Sequence, residues 1–411
     1  MASRVGTAPA PNRLSPLRFV VAFGVVSLLA DFVYEGSRAI VGPFLATFGA
    51  SATVVGVVTG AGEAVALVLR LFTGRVSDRT GRHWTLSIAG YLVTIVAVPV
   101  LAAALALWQA ATLVIAERFG KAVRTPARDT MLAQASTDMG RGWAFGLHEA
   151  LDQSGALLGP LLVAGMVAVS GYRLGFAVLA VPGALAIVTL LWLRALVPVP
   201  AAYEHPPSGN ARPDDVAAAT GGGSGGAASF SGRFWLYTAF TGVSMAGFAT
   251  FGVLSYHMTA RHVLPDALIP VTYAVAMGAA ALAALASGHL YDRVGLRGLV
   301  AAPLLALPVP LLSFSTTPAF VWAGAFVWGA ALGVHESTLR AAVADLVPAA
   351  RRGVGYGTFT AAYGLAWLAG GGVVGALYDR SITAAVTFSV AAQVLALLTF
   401  VPLATHETGS Q

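Results

Sequence analysis

Cysteine is absent from the 411 residues, which excludes disulfides and thiolate metal sites and leaves the compartment open. Charge is scarce as well. Asp, Glu, Lys and Arg make up 10% of the chain and hydrophobic residues 57%, where a soluble domain carries about 25% charge. The length has room for two or three soluble domains, but the polar surface they need is missing. Apolar surface on this scale is solvated only by lipid, so the chain reads as a polytopic membrane protein. The stretch before Leu17 carries Arg4 and Arg13, and no small-residue cleavage site follows it. It is therefore expected to lead into a retained first helix and not to act as a signal peptide.

A helix needs about 20 apolar residues to cross the hydrocarbon core. That ruler predicts twelve crossings. Six lie in the first half, at Leu17–Thr47, Ala52–Thr73, Trp84–Leu107, Gln109–Met131, Trp143–Ser170 and Arg173–Leu196. Six lie in the second, at Phe234–Met258, Ala267–Leu290, Gly298–Phe314, Ala319–Leu346, Val354–Leu377 and Ile382–Val401. Between them, Pro206-Pro207 and the glycine-rich run from Gly221 cannot bury a core and predict a flexible linker. The expected organisation is a tail over 1–16, a six-helix bundle over 17–197, the linker over 198–232, a second bundle over 233–404 and a tail over 405–411.

The halves read as copies of one another. Gly74 corresponds to Gly288, Arg128 to Arg340, the run from Arg141 to Gly146 to that from Arg352 to Gly357, and Gly159 to Gly370. The offset stays near 212 throughout, which implies an internal duplication with a binding site between the halves. Basic residues set the orientation. With both ends cytoplasmic, inside segments collect Arg75, Arg79, Arg82, Arg128, Arg141, Arg194, Arg293, Arg297, Arg351 and Arg352, whereas outside connections hold only Arg38, Arg173, Arg261 and Arg380. The positive-inside rule thus accounts for the net charge of +6 without nucleic acid as a partner.

One short segment identifies a family. Gly74, Asp78, Arg79, Gly81 and Arg82, followed by His83, match the Gly-x-x-x-Asp-Arg-x-Gly-Arg pattern of the loop between the second and third helices of the major facilitator superfamily (MFS) of secondary transporters. His83 stands where that family usually has Lys or Arg. A second copy follows at Gly288, Asp292, Arg293, Gly295 and Arg297. The resemblance implies an all-α membrane protein with the MFS fold, twelve transmembrane helices in two pseudo-symmetric six-helix bundles that rock about a central site. It also implies that the loop clamps the cytoplasmic ends of the halves in one conformation and frees them in the other, with Asp78 able to cap a neighbouring helix N-terminus and the glycines permitting a tight turn. Gly155, Gly159 and Pro160 are similar in part to a segment of the superfamily's proton-coupled antiporters, where small residues allow close packing and proline bends the helix. The segment from Arg118 to Asp129, with Asp31, Glu35, Glu63 and Gly159-Pro160, resembles a poorly characterised group of prokaryotic permeases.

Ionisable groups inside a bilayer cost at least about 2.5–3.5 kcal/mol each, so they mark functional positions. They cluster in the first half. Asp31, Glu35 and Arg38 share one face of the first crossing, and Glu63 lies in the second. Glu117, Lys121, Arg124 and Arg128 form a stripe on the fourth, with Arg118 off that stripe, and His148, Glu149 and Asp152 lie on the fifth. The second half contributes His257, His335, Glu336, Arg340 and Asp345. Glu117–Lys121 and Glu336–Arg340 have the spacing of intrahelical ion pairs. His148 and Asp152 are one turn apart, which favours a hydrogen-bonded pair over a metal site. No metal or other cofactor is expected beyond a proton gradient.

Asp31, Glu35 and Glu63 are the expected proton-coupling acids. Two carboxylates one turn apart in a low dielectric do not both ionise cheaply, so Asp31 and Glu35 are expected to titrate as a unit. Acids in an aromatic cavity point to proton-driven export of small amphipathic or cationic compounds by a monomer in the cell membrane. Three alternatives stand beside it: uptake or exchange of a metabolite or organic anion held by Lys121, Arg124 and Arg340, a non-transporting membrane sensor or assembly partner, and an intramembrane enzyme. The last lacks any evident nucleophile–base pair or metal-ligand set.

Overall fold

Apolar runs broken by serine, threonine and glycine fold here into helices alone among the described residues. The computed structural model describes residues 13–136, 139–203, 230–348 and 351–405, apart from the side chains at 141, 142, 338–341, 344, 352, 404 and 405. The expected tails over 1–16 and 405–411 and the linker over 198–232 fall largely outside those residues.

The first half contains α1 (Pro16–Ala46), α2 (Ala52–Val68), α3 (Arg70–Thr80), α4 (His83–Val100), α5 (Leu107–Ala135), α6 (Arg141–Val178) and α7 (Ala180–Leu196). The second contains α8 (Gly232–Ala246), α9 (Phe251–Ala260), α10 (Ile269–Val294), α11 (Ala301–Ala306), α12 (Val309–Ser313), α13 (Pro318–Leu346), α14 (Arg352–Arg380) and α15 (Ile382–Thr405). Hydroxyls start several of them. Ser15, Ser51, Ser231 and Thr250 each accept a hydrogen bond from a first-turn amide of the following helix, at 3.2–3.4 Å.

Nine segments among the described residues are long and apolar enough to cross a bilayer. Two of these, Trp143–Leu196 and Asp266–Ser313, run to 54 and 48 residues. At 1.5 Å per residue each greatly exceeds the roughly 30 Å hydrocarbon core, so each is two crossings. Helix α5 carries too much charge for a hydropathy threshold yet spans 29 residues. Nine, plus two, plus one gives the twelve crossings expected.

Close contacts repeat between the halves. A side chain at Gly159 of α6 would collide with the carbonyl of Phe32 in α1, and one at Gly370 of α14 with that of Ala246 in α8. The two members of this pair of contacts are offset by 211 and 214 residues, so the duplication seen in the chain is a duplication of packing. Gly155 meets Leu28 of α1 in the same way.

Two expectations are corrected here. Gly74, Asp78 and Arg79 do not belong to a turn but to helix α3, and only Gly81 takes the left-handed conformation, at φ 60°, with its N–H on Ser77 O at 2.9 Å. The second copy repeats this: Gly288, Asp292 and Arg293 are helical in α10 and Gly295 has φ 61°. Helical dihedrals in α6 continue past Pro160 and break at Ser170 and Gly171, where φ is −152° and 73°, the boundary expected between the fifth and sixth crossings. Proline lacks one donor, but glycine at positive φ is what turns the chain back. Crossing 7 differs in the other direction. Expected to be continuous, it breaks between α8 and α9 over residues 247–250.

Candidate transport site

Helices α1, α2, α5 and α6 bring their charged faces together between the two bundles, because no lipid-facing position tolerates them. The centre is Glu63 of α2. Its Oε1 lies 2.8 Å from Arg38 Nη2 and 3.5 Å from Arg118 Nη1, so two guanidinium groups grip one carboxylate oxygen. Arg118 Nε also lies 3.1 Å from Glu117 Oε2. The hydroxyl of Tyr34 accepts hydrogen bonds from both Arg118 and Arg38, and its ring lies under Arg118 at 4.3 Å and Lys121 Nζ at 3.7 Å. Arg38, expected near an outside connection, is therefore a buried member of the network.

One turn towards the end bearing the α3–α4 turn, hereafter the motif face, lies a second cluster. Asp31 Oδ1 is 3.4 Å from Arg124 Nη2, and Arg124 stacks at 4.4 Å over Tyr91. Ser27 Oγ lies 3.2 Å from both Tyr91 Oη and His148 Nε2 and accepts from Arg128 Nη1 at 3.5 Å. His148 is thus tied to Ser27 and not to Asp152. Asp152 has no ion pair within 4.0 Å among the described residues, and its Oδ1 is buried without a hydrogen bond.

Several pairings differ from those that spacing alone favours. Glu117 pairs with its neighbour Arg118 and not with Lys121. Lys121 has no carboxylate within 4.0 Å among the described residues, having spent its reach on the Tyr34 face. Arg118, off the stripe, contacts two carboxylates and the Tyr34 hydroxyl, as Arg38 does. Asp31 and Glu35 each have a separate partner: Glu35 Oε2 accepts from Tyr273 of α10 and lies 3.7 Å from Arg38 Nη1. Glu336 lines the cavity, whereas the side chain of Arg340 lies outside the described residues.

These groups wall a cavity of about 240 Å³ between the halves. Seven acids line it (Asp31, Glu35, Glu63, Asp129, Glu149, Asp152 and Glu336) against four bases (Arg38, Arg70, Lys121 and Arg128). Tyr34, Phe359, Tyr363 and Trp367 add aromatic surface, and Arg38 lies 5.9 Å from the Trp367 centroid across the cavity. Glu149 and Glu336 are exposed, so the cavity opens towards the motif face.

The opposite, far face is shut by contacts across the halves. Asp379, at the end of α14, accepts from Ala52 N and Thr53 N at 2.9 Å each and from Thr53 Oγ1 at 2.5 Å, capping the start of α2. Thr59 and Thr250 hydroxyls meet at 2.8 Å, and Gly42 and Gly56 pack on the carbonyls of Gly252 and Gly371. At the motif face Asp78 is exposed and makes no hydrogen bond or ion pair among the described residues. Ser77 Oγ instead holds His83 Nδ1 at 2.9 Å, which gives the residue that departs from the family pattern a place in the turn.

Two bundles of six crossings closing at one face around a charged cavity form a recognisable architecture, and the family model for the Major Facilitator Superfamily matches residues 24–371. The chain belongs to the major facilitator superfamily. A protein of Mycobacterium tuberculosis, described as uncharacterised, is 51% identical over 404 residues, covering 96% of this chain and 95% of that one. An uncharacterised MFS-type transporter of Methanocaldococcus jannaschii is 28% identical over 144 residues, 35% of this chain and 36% of its own. Among solved structures, the nucleoside transporter NupG superposes with a TM-score of 0.70 at 14% identity, covering 96% of this chain and all of that one. A POT family transporter in complex with 5-aminolevulinic acid gives 0.75 at 15% identity, covering 94% and 97%. At such identities these likenesses show the fold. The protein is a multi-pass MFS secondary transporter.

Tyr34, Tyr91, Tyr273, Ser27 and Asp379 escaped the reading of the sequence. Tyrosine and serine carry no charge penalty in a membrane, so nothing in hydropathy marks them. Asp379 lay at a helix end, where an acid costs little.

Proposed function

We propose that this transporter exports small organic cations or amphipathic compounds in exchange for protons, from the cytoplasmic side of the cell membrane. The observation that carries the reading is the lining of the cavity, with seven acids to four bases beside four aromatic side chains. Carboxylates attract a cation and aromatic faces hold it, and a proton neutralises the same carboxylates, so substrate and proton compete. The excess of arginine at the motif face supports placing that face and both termini in the cytoplasm.

Asp31, Glu35 and Glu63 are the proposed coupling acids, joined by Asp152 because its buried oxygen lacks a partner. Glu35 has a further property. Its hydrogen bond from Tyr273 crosses between the halves, and a charged acceptor makes a bond roughly twice as strong as a neutral one. Protonating Glu35 weakens a contact that closes the far side, which links the proton to the conformation. Arg38, Arg118 and Arg124 hold these acids in place, and Asp78 with Arg79, Arg82, Asp292 and Arg293 forms the gate at the cytoplasmic face.

One observation favours the alternative of organic-anion transport: Lys121 faces the cavity with no acid of its own. Charge removal separates the two. For cation export, Asp152→Asn abolishes most transport of a tetraphenylphosphonium probe, and Lys121→Met tightens its binding about fivefold, as removal of a like charge at close range predicts. Loss of binding in Lys121→Met with full activity in Asp152→Asn would reverse the assignment.

A further inference from the structure

The charged wall of the cavity comes from the first half, and the wall opposite is aromatic and comes from the second. The break in crossing 7 places Phe248 among Trp328, His335 and Trp367, with ring centroids at 5.6, 5.8 and 6.4 Å. Tyr363 lies 6.3 Å from His335 and 6.0 Å from Trp367. His335 and Trp367 are therefore joined through two shared aromatic neighbours, and both line the cavity while only 1% and 3% exposed. Each holds one nitrogen without a partner, His335 Nδ1 and Trp367 Nε1.

The residues behind them fix which nitrogen donates. Gln393 Nε2 donates to the backbone carbonyl of Ser244 at 2.8 Å, which turns its Oε1 to the Ser244 hydroxyl, and that hydroxyl donates to it at 2.8 Å. With its proton committed, Ser244 Oγ can only accept from His335 Nε2, 3.5 Å away. The imidazole thus carries its proton on Nε2 and presents Nδ1 as an acceptor. Trp367 Nε1–H can only donate. One aromatic wall thus holds an unpartnered acceptor and an unpartnered donor, and buried polar groups of this kind call for a partner.

We propose that His335 and Trp367 are specificity-determining residues that read the edge of a planar substrate carrying both a hydrogen-bond acceptor and a donor, an aromatic ring bearing an amide or an amide-like heterocycle. The carbonyl of such an edge accepts from Trp367 and its N–H donates to His335 Nδ1. The ring packs against Tyr363 and Phe359, which line the cavity, and the cationic part faces the carboxylates. This inference rests on the reading of the cavity as a site for organic cations.

Three permanently charged probes of similar size dissect it: 1-methylnicotinamide with acceptor and donor, 3-acetyl-1-methylpyridinium with the acceptor alone, and 3-isopropyl-1-methylpyridinium with neither. Each is measured by exchange in proteoliposomes of the full chain, with tetraphenylphosphonium as a general organic cation. The expected order of apparent affinity follows the number of hydrogen bonds, about fivefold for each. Trp367→Phe removes the advantage of the acetyl group, His335→Phe removes the further advantage of the carboxamide, and His335→Asn, which keeps an acceptor near Nδ1, restores it. A flat series in the wild type, with tetraphenylphosphonium exchanged, overturns the inference and leaves cation transport standing. Equal losses for all three probes in both variants also overturn it, because the residues then only pack or hold water. If no cation moves at all, the cation reading falls and the inference with it.

Discussion

Arg118 is the residue on which the charged cluster depends, although its spacing excluded it from the helical stripe. It is 6% exposed and lies between Glu63 and Glu117 while donating to Tyr34. Removing one partner of a buried ion pair leaves an uncompensated charge, at a cost of about 3–5 kcal/mol. Arg118→Ala is therefore expected to lower the melting temperature in detergent by many degrees. Arg118→Lys is expected to recover little of it, because one ammonium cannot reproduce a planar guanidinium that contacts two carboxylates and a hydroxyl. Replacing Glu117 by Gln in the Arg118→Ala background should recover part of the loss, since Glu117 has its ion pair with Arg118 alone whereas Glu63 keeps Arg38. Unchanged melting in Arg118→Ala would show that the cluster is not a structural keystone.

Helices, taken as elements, behave reciprocally. Crossings 2 and 11 lie against each other, and each carries an aspartate near its end: Asp78 at the motif face, and Asp379 at the far face on the first residues of α2. In this structure Asp379 is engaged and Asp78 has no partner among the described residues, which fits a conformation shut at the far face and open at the motif face. Loss of a capping carboxylate costs about 1 kcal/mol, or roughly a fivefold shift in the balance between conformations. Asp379→Ala, which removes the cap, is expected to raise labelling of Ser37→Cys by an impermeant maleimide from the far side. The chain has no cysteine of its own, so the label reports that site alone. Labelling equal to that of the parent single-cysteine protein would show that Asp379 is no latch. Such elements were legible to different degrees. Twelve crossings followed from apolar length alone, and even α5 could be placed because its charges fell on one stripe. The break at 247–250 was not legible, because it arises from Phe248 settling among Trp328, His335 and Trp367, a tertiary contact with no local period. The identity of charged partners was equally hidden. Spacing joined Glu117 to Lys121, whereas the packing of α1 and α2 against α5 placed Tyr34 and Glu63 within reach of Arg118 first.

For the whole molecule, the duplication has kept the scaffold and divided the labour. Gly159 on Phe32 and Gly370 on Ala246 repeat one helix contact, yet nearly all charge lines the first half and the aromatic wall belongs to the second. A substrate held between the two touches both bundles at once, which is the geometry alternating access requires. In the proposed antiport, the cross-half bond from Tyr273 to Glu35 is the contact through which protonation of one bundle would act on the other. The most direct measurement is proton movement during substrate exchange. Purified protein is placed in proteoliposomes with a pH-sensitive dye inside, and tetraphenylphosphonium is added to the wild type and to the Asp31→Asn, Glu35→Gln double variant. The account predicts a proton flux opposite to the cation in the wild type and cation movement without proton flux, or none of either, in the double variant. Proton exchange at the wild-type rate in the double variant, or cation transport by the wild type that moves no protons, would contradict it.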